Sequence, residues 1–395
     1  MEELLVKSQR KIKQVTVEHK RYLHAKINRT SRMIAIKGAR GTGKTTLLLQ
    51  LGREKKVEDV LYVAMDDLFF TANTLYGLAD QFSKIGGTLL LVDEVHKYPN
   101  WSRELKLIYD DIPHLQVIFT SSSILEIYKG ESDLSRRAVT YTLSELSFRE
   151  YLEFHEKIAL PFFSLDDIVK RHPEISTDLC SLFSPYKYFS AYLKHGAYPY
   201  FDGDENEYYQ KLLNTVHLIL EVDLRAIENI DYNNIAKIKR LLYVISANVP
   251  FTPNMNKLSE QIHLNRNALV RVVQLLQRAS LIHSLYKQSK SISVLNKPDK
   301  IWMHNTNLMY AISGNGINKG SLRETFFLQS MPHEYPLSLP DQGDIIVNNT
   351  YLFEIGGKNK TKEQIKGKEN AFIVSDDIET GILNTIPLWL FGFQY

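Results

Sequence analysis

GARGTGKTT, running from Gly38 to Thr46, decides how the first third of this chain is read. It has the spacing Gly-x-x-x-x-Gly-Lys-Thr, with a short apolar stretch, MIAIK (Met33–Lys37), before it and a helix-like stretch, TTLLLQLGRE, after it. Glycine carries no Cβ, so backbone N–H groups at such a turn can close around phosphate oxygens. The helix that follows presents its positive end to the same anion. In this pattern Lys44 reaches the β- and γ-phosphates and the Thr45 hydroxyl ligates Mg²⁺. The expected nucleotide-binding residues are therefore Gly38, Ala39, Arg40, Gly41, Thr42, Gly43, Lys44, Thr45 and Thr46, with ATP and Mg²⁺ as the expected cofactors.

Outward from the loop come VLYVAM (Val60–Met65), GGTLLLVDE (Gly86–Glu94) and LQVIFT (Leu115–Thr120), separated by helical patterns such as Trp101–Tyr109. Their apolar runs do not alternate, which indicates a parallel sheet buried on both faces. Residues 1–145 are expected to form a doubly wound α/β domain. Asp93 ends an apolar strand, where a carboxylate holds the Mg²⁺ shell, and the adjacent Glu94 is placed to orient or deprotonate a water. Thr120 ends the next strand and is the favoured contact to the γ-phosphate or the attacking water. The following Ser121, Ser122 and Ser123 read equally well as a helix cap. Farther on, Arg136 and Arg137 are candidates for stabilising charge on the transferred phosphoryl group, with Arg137 preferred, from this chain or a neighbouring subunit.

GARGTGKTTLL, LLLVDEVHKYPNWSRELKLIYD, the TSSS strand end and LSFREYLEF together resemble the bacterial and archaeal AAA-type ATPases of the AAA_14 kind, which usually carry a C-terminal DUF4143 domain. The resemblance implies a P-loop AAA+ core near the archaeal ATPase and STAND-like branch. Ser121 stands where that family usually has glycine, and Arg136-Arg137 replaces its usual Gly-Arg.

The rest of the chain divides, on composition, into a helical region (146–235), a winged-helix module (236–303) and a small C-terminal α/β unit (304–395). In Lys257–Lys287 the order is helix, short turn, longer helix, strand, with Arg266, Asn267, Arg271, Gln274 and Arg278 on or near the second helix. Lys287, Lys290, Lys297 and Lys300 add charge to the hairpin region. The final unit, LRETFF then GDIIV then YLFEIGGKNKTKEQIKGK, resembles a PD-(D/E)xK nuclease core. That resemblance implies Glu324, Asp344, Glu354 and Lys358 as site residues, with Asp344 and Glu354 holding a metal ion and Gln364 on the next helix. It departs at Gly356, where the lysine is usually found. Lys358, Lys360, Lys362, Lys366 and Lys368 could follow nucleic-acid phosphates or simply be solvated.

The chain has 395 residues, a net charge of +3 and one cysteine, Cys180. No global basic field commits it to nucleic acid, and one cysteine excludes internal disulfides and a cysteine-rich zinc site. Cys180 is expected to be a buried bystander. The charged N-terminus does not read as a secretory signal, and no apolar run reaches membrane-helix length, so a soluble cytoplasmic protein is expected. The functional expectation is a Mg²⁺-dependent ATPase that moves a C-terminal nuclease-like or nucleic-acid-binding domain. The alternative is a nucleotide-gated switch with slow hydrolysis and no nuclease activity. DNA or RNA, a protein partner or a second copy of the chain are the expected partners.

Overall fold

The computed structural model of the chain describes residues 1–122, 134–224, 232–287, 297–314, 316–361 and 363–395. Ser123, Lys290 and Lys362, singled out above, lie outside the described residues. The chain divides into two compact units, Met1–Glu145 and Leu146–Tyr395.

The first unit is built on a parallel sheet of five strands in the order β2-β3-β4-β1-β5. The strands are β1 (Met33–Gly38), β2 (Val60–Ala64), β3 (Leu89–Asp93), β4 (Gln116–Ser122) and β5 (Val139–Thr142). Helices α1 (Glu2–Gln14), α2 (Tyr22–Lys26), α3 (Lys44–Gly52), α4 (Leu75–Lys84) and α5 (Trp101–Asp111) complete it. Two separate cores explain the strands without alternation. On one face Leu61, Val63, Leu90, Val92 and Phe119 pack with Leu78, Phe82, Leu105 and Ile108. On the other, Ile34, Ile36, Leu89, Leu91 and Ile118 pack with Ile12, Leu47, Leu48 and Leu51. A strand covered on both sides has no face on which a polar residue is cheap. The polar residues Asp93 and Thr120 therefore stand out, and both lie toward the carboxyl ends of their strands.

The second unit opens with α6 (Phe148–His155), α7 (Leu165–Leu182), α8 (Pro185–His195) and α9 (Glu205–Leu218). Its aromatic residues form a connected cluster. Phe189 meets Phe326 edge-on with ring centroids 4.8 Å apart, and Phe148 meets Phe393 at 5.9 Å. After α10 (Tyr232–Ala247) come α11 (Met255–Ile262), α12 (Arg266–Arg278) and the antiparallel pair β6 (Ile282–Leu285) and β7 (Lys300–Met303). Phe251 bridges to Ile301 and so adds a third extended segment to that pair. Helices α13 (Thr306–Ser313) and α14 (Lys319–Gln329) lead to a mixed sheet of order β12-β11-β10-β9-β8. Its strands are β8 (Leu337–Ser338), β9 (Ile345–Val347), β10 (Tyr351–Gly356), β11 (Ala371–Ser375) and β12 (Thr385–Pro387).

After β12 the chain winds into a buried 3-10 segment, Leu388–Phe393. Two local expectations change. Gln364 sits in a single 3-10 turn, Glu363–Ile365, rather than a helix. Cys180 is only half-buried, with its thiol pushed up by burial and directed at the Glu379 carbonyl 3.5 Å away.

Candidate functional site

The loop after β1 is shaped by close packing as much as by flexibility. A Cβ on Gly38 would stand 2.3 Å from the Leu143 carbonyl oxygen, so only glycine lets this strand end pass its neighbour. Gly41 and Gly43 have φ of 83° and 94°, in the left-handed region that other residues rarely occupy. Gly43 caps α3, and the first turn of that helix carries no acidic residue to oppose an anion. Thr42 is buried and donates its hydroxyl to the Ala39 carbonyl at 3.0 Å, which pins the loop from within.

Lys44 curls over its own loop and donates to the Gly38 and Ala39 carbonyls at 2.8 and 2.7 Å. Burial pulls its ammonium down to about 8, although Asp93 and Glu94 work in the opposite direction. Neighbouring Thr45 donates its hydroxyl to Asp93 Oδ2 at 2.8 Å. A hydroxyl and a carboxylate at that separation are the donor set that holds a hydrated Mg²⁺ beside a polyphosphate. The residues present therefore fit the cofactor pair expected from the sequence.

Asp93 is buried and accepts three hydroxyls. Thr45 and Tyr62 reach Oδ2, the latter at 2.9 Å, while Thr120 donates to Oδ1. Tyr62 escaped the sequence reading because a tyrosine in an apolar strand carries no positional signal. Its hydroxyl is raised well above the usual tyrosine range by burial and by Asp93, so it remains a donor. Thr120 also accepts the Glu94 backbone N–H at 2.9 Å. Glu94 itself has φ 52°, an unfavourable setting for a side chain of this size. Its carboxylate is paired with Lys97 and lies 3.7 Å from Arg40. Lys97 also pairs with Asp66 at 2.8 Å. Ser121 donates to the Ser122 carbonyl at 3.3 Å and Ser122 Oγ is buried, so neither joins the Asp93 cluster.

Arg21 is a further residue that the sequence did not disclose. It is buried behind the loop and donates to the Thr42 carbonyl and to the Ser144 and Glu145 carbonyls at 2.7 and 3.0 Å. Arg137 corrects an expectation. It forms a two-pronged pair with Asp110, both bonds 2.9 Å, and lies over the Tyr109 ring. It precedes β5, which runs parallel to β1, so it sits beyond the amino ends of the strands. The phosphate loop follows their carboxyl ends, a strand length of roughly 15–20 Å away. Arg137 therefore does not serve the loop of its own chain in this arrangement. Arg136 is exposed beside it.

Residues 30–152 match an AAA domain, AAA_14. The match spans the loop, Asp93-Glu94 and Thr120, and it supports a nucleotide-binding ATPase of the AAA+ kind. Residues 186–319 match a domain of unknown function, DUF8612, rather than the DUF4143 domain that the sequence resemblance implied. An uncharacterized protein of Methanocaldococcus jannaschii is 26% identical over 89% of this chain and 82% of its own length. Among solved structures, AMPPCP-bound DnaA from Aquifex aeolicus aligns at 17% identity over 64% of this chain and 84% of that one, with a TM-score of 0.29. PCH-2 of C. elegans aligns at 17% identity over 39% of this chain, with a TM-score of 0.24. A katanin structure aligns at 16% identity over 34% of this chain, with a TM-score of 0.26. The chain spans less than half of those last two, 45% and 48%. At such scores the likenesses bear no further weight.

Outside the AAA match, the C-terminal sheet gathers the acids singled out in the sequence. Asp344 accepts the Ile355 backbone N–H at 2.7 Å. Glu324 accepts the Trp302 indole N–H at 2.9 Å, and burial followed by the Asp344 charge pushes its carboxyl up. Glu354 is fully buried and also pushed up, by burial first and Asp344 later, despite its lysine partner. That lysine is Lys360, 2.6 Å from Glu354 Oε1, and not the exposed Lys358. A Cβ on Gly356 would stand 2.6–2.8 Å from the Lys360 side-chain carbons. Lys360 thus runs through the space that a side chain at 356 would take, which is why Gly356 is needed there. Burial works against the Lys360 ammonium, but Glu354, Asp344 and Glu324 outweigh it and hold it above the usual lysine range. The expected lysine is corrected accordingly: Lys360 rather than Lys358 faces Glu354. Among the described residues no three Asp, Glu, His or Cys side chains converge for one ion.

Proposed function

We propose that this chain is a Mg²⁺-dependent ATPase, with Lys44 and the loop N–H groups binding the phosphates, Thr45 and Asp93 holding the metal shell, and Glu94 polarising water. The observation that carries the reading is the bridge made by Thr120, which ties the Asp93 carboxylate to the Glu94 backbone. When bound, ATP and Mg²⁺ supply the phosphoryl group and the charge that stabilises its transfer. The chain then positions: Tyr62 and Thr120 fix the Asp93 carboxylate, and Glu94 takes a proton from the attacking water. Arg137, remote from its own loop, fits a role toward another copy of the chain. In this reading hydrolysis drives movement of the second unit.

The test is the pair Lys44→Ala and Glu94→Gln. The first abolishes ATP binding; the second binds ATP and loses turnover by roughly a hundredfold or more. Equal turnover by Glu94→Gln and wild type would remove Glu94 from the chemistry.

One observation favours the slower, switch-like variant of the same reading. Glu94 is engaged by Lys97 and faced by Arg40, so its carboxylate must be released before it can accept a proton. The C-terminal acids support a nuclease-like role, because Lys360 fills the place left by Gly356. Incubation of DNA and RNA with Mg²⁺ or Mn²⁺ tests it, and cleavage must disappear in both Glu354→Ala and Lys360→Ala for the role to stand.

A further inference from the structure

Between Glu260 and Asp299 the chain has 38 residues without one aspartate or glutamate, although 45 acids are present among its 395 residues. The same stretch carries Arg266, Arg271, Arg278, Lys287, Lys290 and Lys297. Its described residues include the last two of α11, all of α12 and the strand β6. The turn between the two helices is His263-Leu264-Asn265, with His263 at φ 52° and Asn265 capping α12 by accepting the Ala268 N–H at 2.8 Å. Lys237 of α10 donates to the His263 carbonyl at 2.8 Å, which ties a third helix to the turn. Leu258, Ile262, Leu269, Val272, Val273 and Leu276 are buried and fix the rotation of α12.

That rotation decides what α12 shows to solvent. Arg266, Asn267, Arg271, Gln274 and Arg278 are exposed. They recur at helical spacing along one stripe, opposite the buried one. The stripe offers guanidinium and amide groups and no acid. Arginine forks pair with guanine edges or phosphates, and Asn and Gln amides pair with adenine. A helix about 10–12 Å across fits the major groove of B-form DNA, which is about 12 Å wide. The antiparallel pair β6–β7 directly follows α12, as in a helix-turn-helix reader with an adjoining β-ribbon.

We propose that α12 is a docking surface for double-stranded DNA, its Arg266 end entering the major groove. The choice of duplex DNA over duplex RNA is geometric, because the A-form major groove is too deep and narrow to be read by side chains. This interaction needs neither ATP nor the C-terminal acids, so it stands or falls apart from the ATPase reading.

The experiment uses the full chain, without nucleotide and in EDTA, against a fluorescent duplex DNA of about 30 base pairs. Anisotropy should report binding that weakens by roughly one to two orders of magnitude between about 50 and 200 mM salt. The variant Arg266→Gln/Arg271→Gln should bind at least about tenfold more weakly at the lower salt, with a salt slope shallower by about two. Its circular-dichroism melt should match wild type, since both positions are exposed. Bound protein should also protect guanine N7, which lines the major groove, from dimethyl sulfate. Absent binding at the lower salt, unchanged binding by the double variant, unprotected N7, or equal binding of duplex RNA would each overturn the proposal.

Discussion

Thr120 donates its hydroxyl to the Asp93 carboxylate while accepting the backbone N–H of Glu94. One hydroxyl therefore joins the two acids to which the proposed ATPase assigns the metal and the attacking water. Thr120→Val keeps the shape and removes the bridge. Turnover should fall by roughly 10–100-fold while ATP affinity changes little, and the unit should lose about 1–2 kcal/mol of stability from the unmatched buried donors and acceptors. Nucleotide titration and steady-state hydrolysis on the same preparation separate the two effects. A change in affinity alone would place Thr120 in binding, not positioning.

Lys44 gives a pH signature. Its ammonium is held at about 8 before phosphate arrives, and a bound polyphosphate raises it again. The free state thus loses its proton first as pH rises through about 8, and binding must take one up. ATP affinity should weaken by roughly tenfold between about pH 7.5 and pH 9. Calorimetry of ATP binding in buffers of different ionisation heat should register proton uptake near pH 8.5. A flat affinity profile would mean that the lysine is already fully charged in the free loop.

Lys97 restrains Glu94. Removing the ammonium by Lys97→Ala should raise basal turnover about two- to tenfold, because the carboxylate no longer shares its charge with a neighbour. The gain should shrink at high salt, where wild type also loosens its ion pair. Lower turnover in Lys97→Ala would instead make the lysine a support for the glutamate.

Glu324 and Glu354 titrate high in the folded chain. Their raised values mean that the folded state still holds protons where the unfolded chain has released them. Stability is therefore lost as pH climbs through the unfolded carboxylate range and on up to the folded values. Glu324→Gln keeps an acceptor for Trp302 and removes that penalty. In EDTA its melting temperature should exceed that of wild type by about 2–4 °C at pH 8 and coincide with it near pH 4. Tryptophan fluorescence checks this directly, since the Trp302 indole donates to the substituted group.

The two lysines of the C-terminal turn make opposite predictions. Lys358 is exposed, and Lys358→Ala should be neutral within about 0.5 kcal/mol. Lys360→Ala leaves the buried Glu354 without its countercharge and should cost about 2–4 kcal/mol near neutral pH, less in acid where Glu354 is neutral. Chemical denaturation followed at two pH values distinguishes them, and equal costs would mean that Lys360 does not hold the acid.

These contrasts show where sequence was legible. Glycine spacing, an apolar strand ending in Asp93-Glu94 and a polar strand end at Thr120 are local patterns, and each marks a backbone position that chemistry restricts. Partners supplied by a different element leave no such pattern. Tyr62 reaches Asp93 from the next strand, Arg21 reaches Thr42 from before the sheet, and both read locally as ordinary residues. Lys360 was hidden differently: counting along the chain pointed to Lys358, whereas the Gly356-Gly357 turn folds the later lysine back over the strand. Arg137 was misplaced because Val139–Thr142, only four residues long and without an apolar run, does not read as a strand, yet it is the parallel β5 that sets Arg137 at the amino end of the sheet.

The buried Arg21 has one more implication. Its guanidinium joins the carbonyl of Thr42, inside the phosphate loop, to those of Ser144 and Glu145, the last residues of the first unit. A loop that shifts when its phosphate is gained or lost would tug the chain one peptide bond before the second unit begins. Arg21 thus fastens the phosphate loop to the end of the first unit, and Arg21→Met should speed backbone hydrogen exchange around both Thr42 and Glu145, whereas unchanged exchange at either place would mean that the guanidinium does not join them.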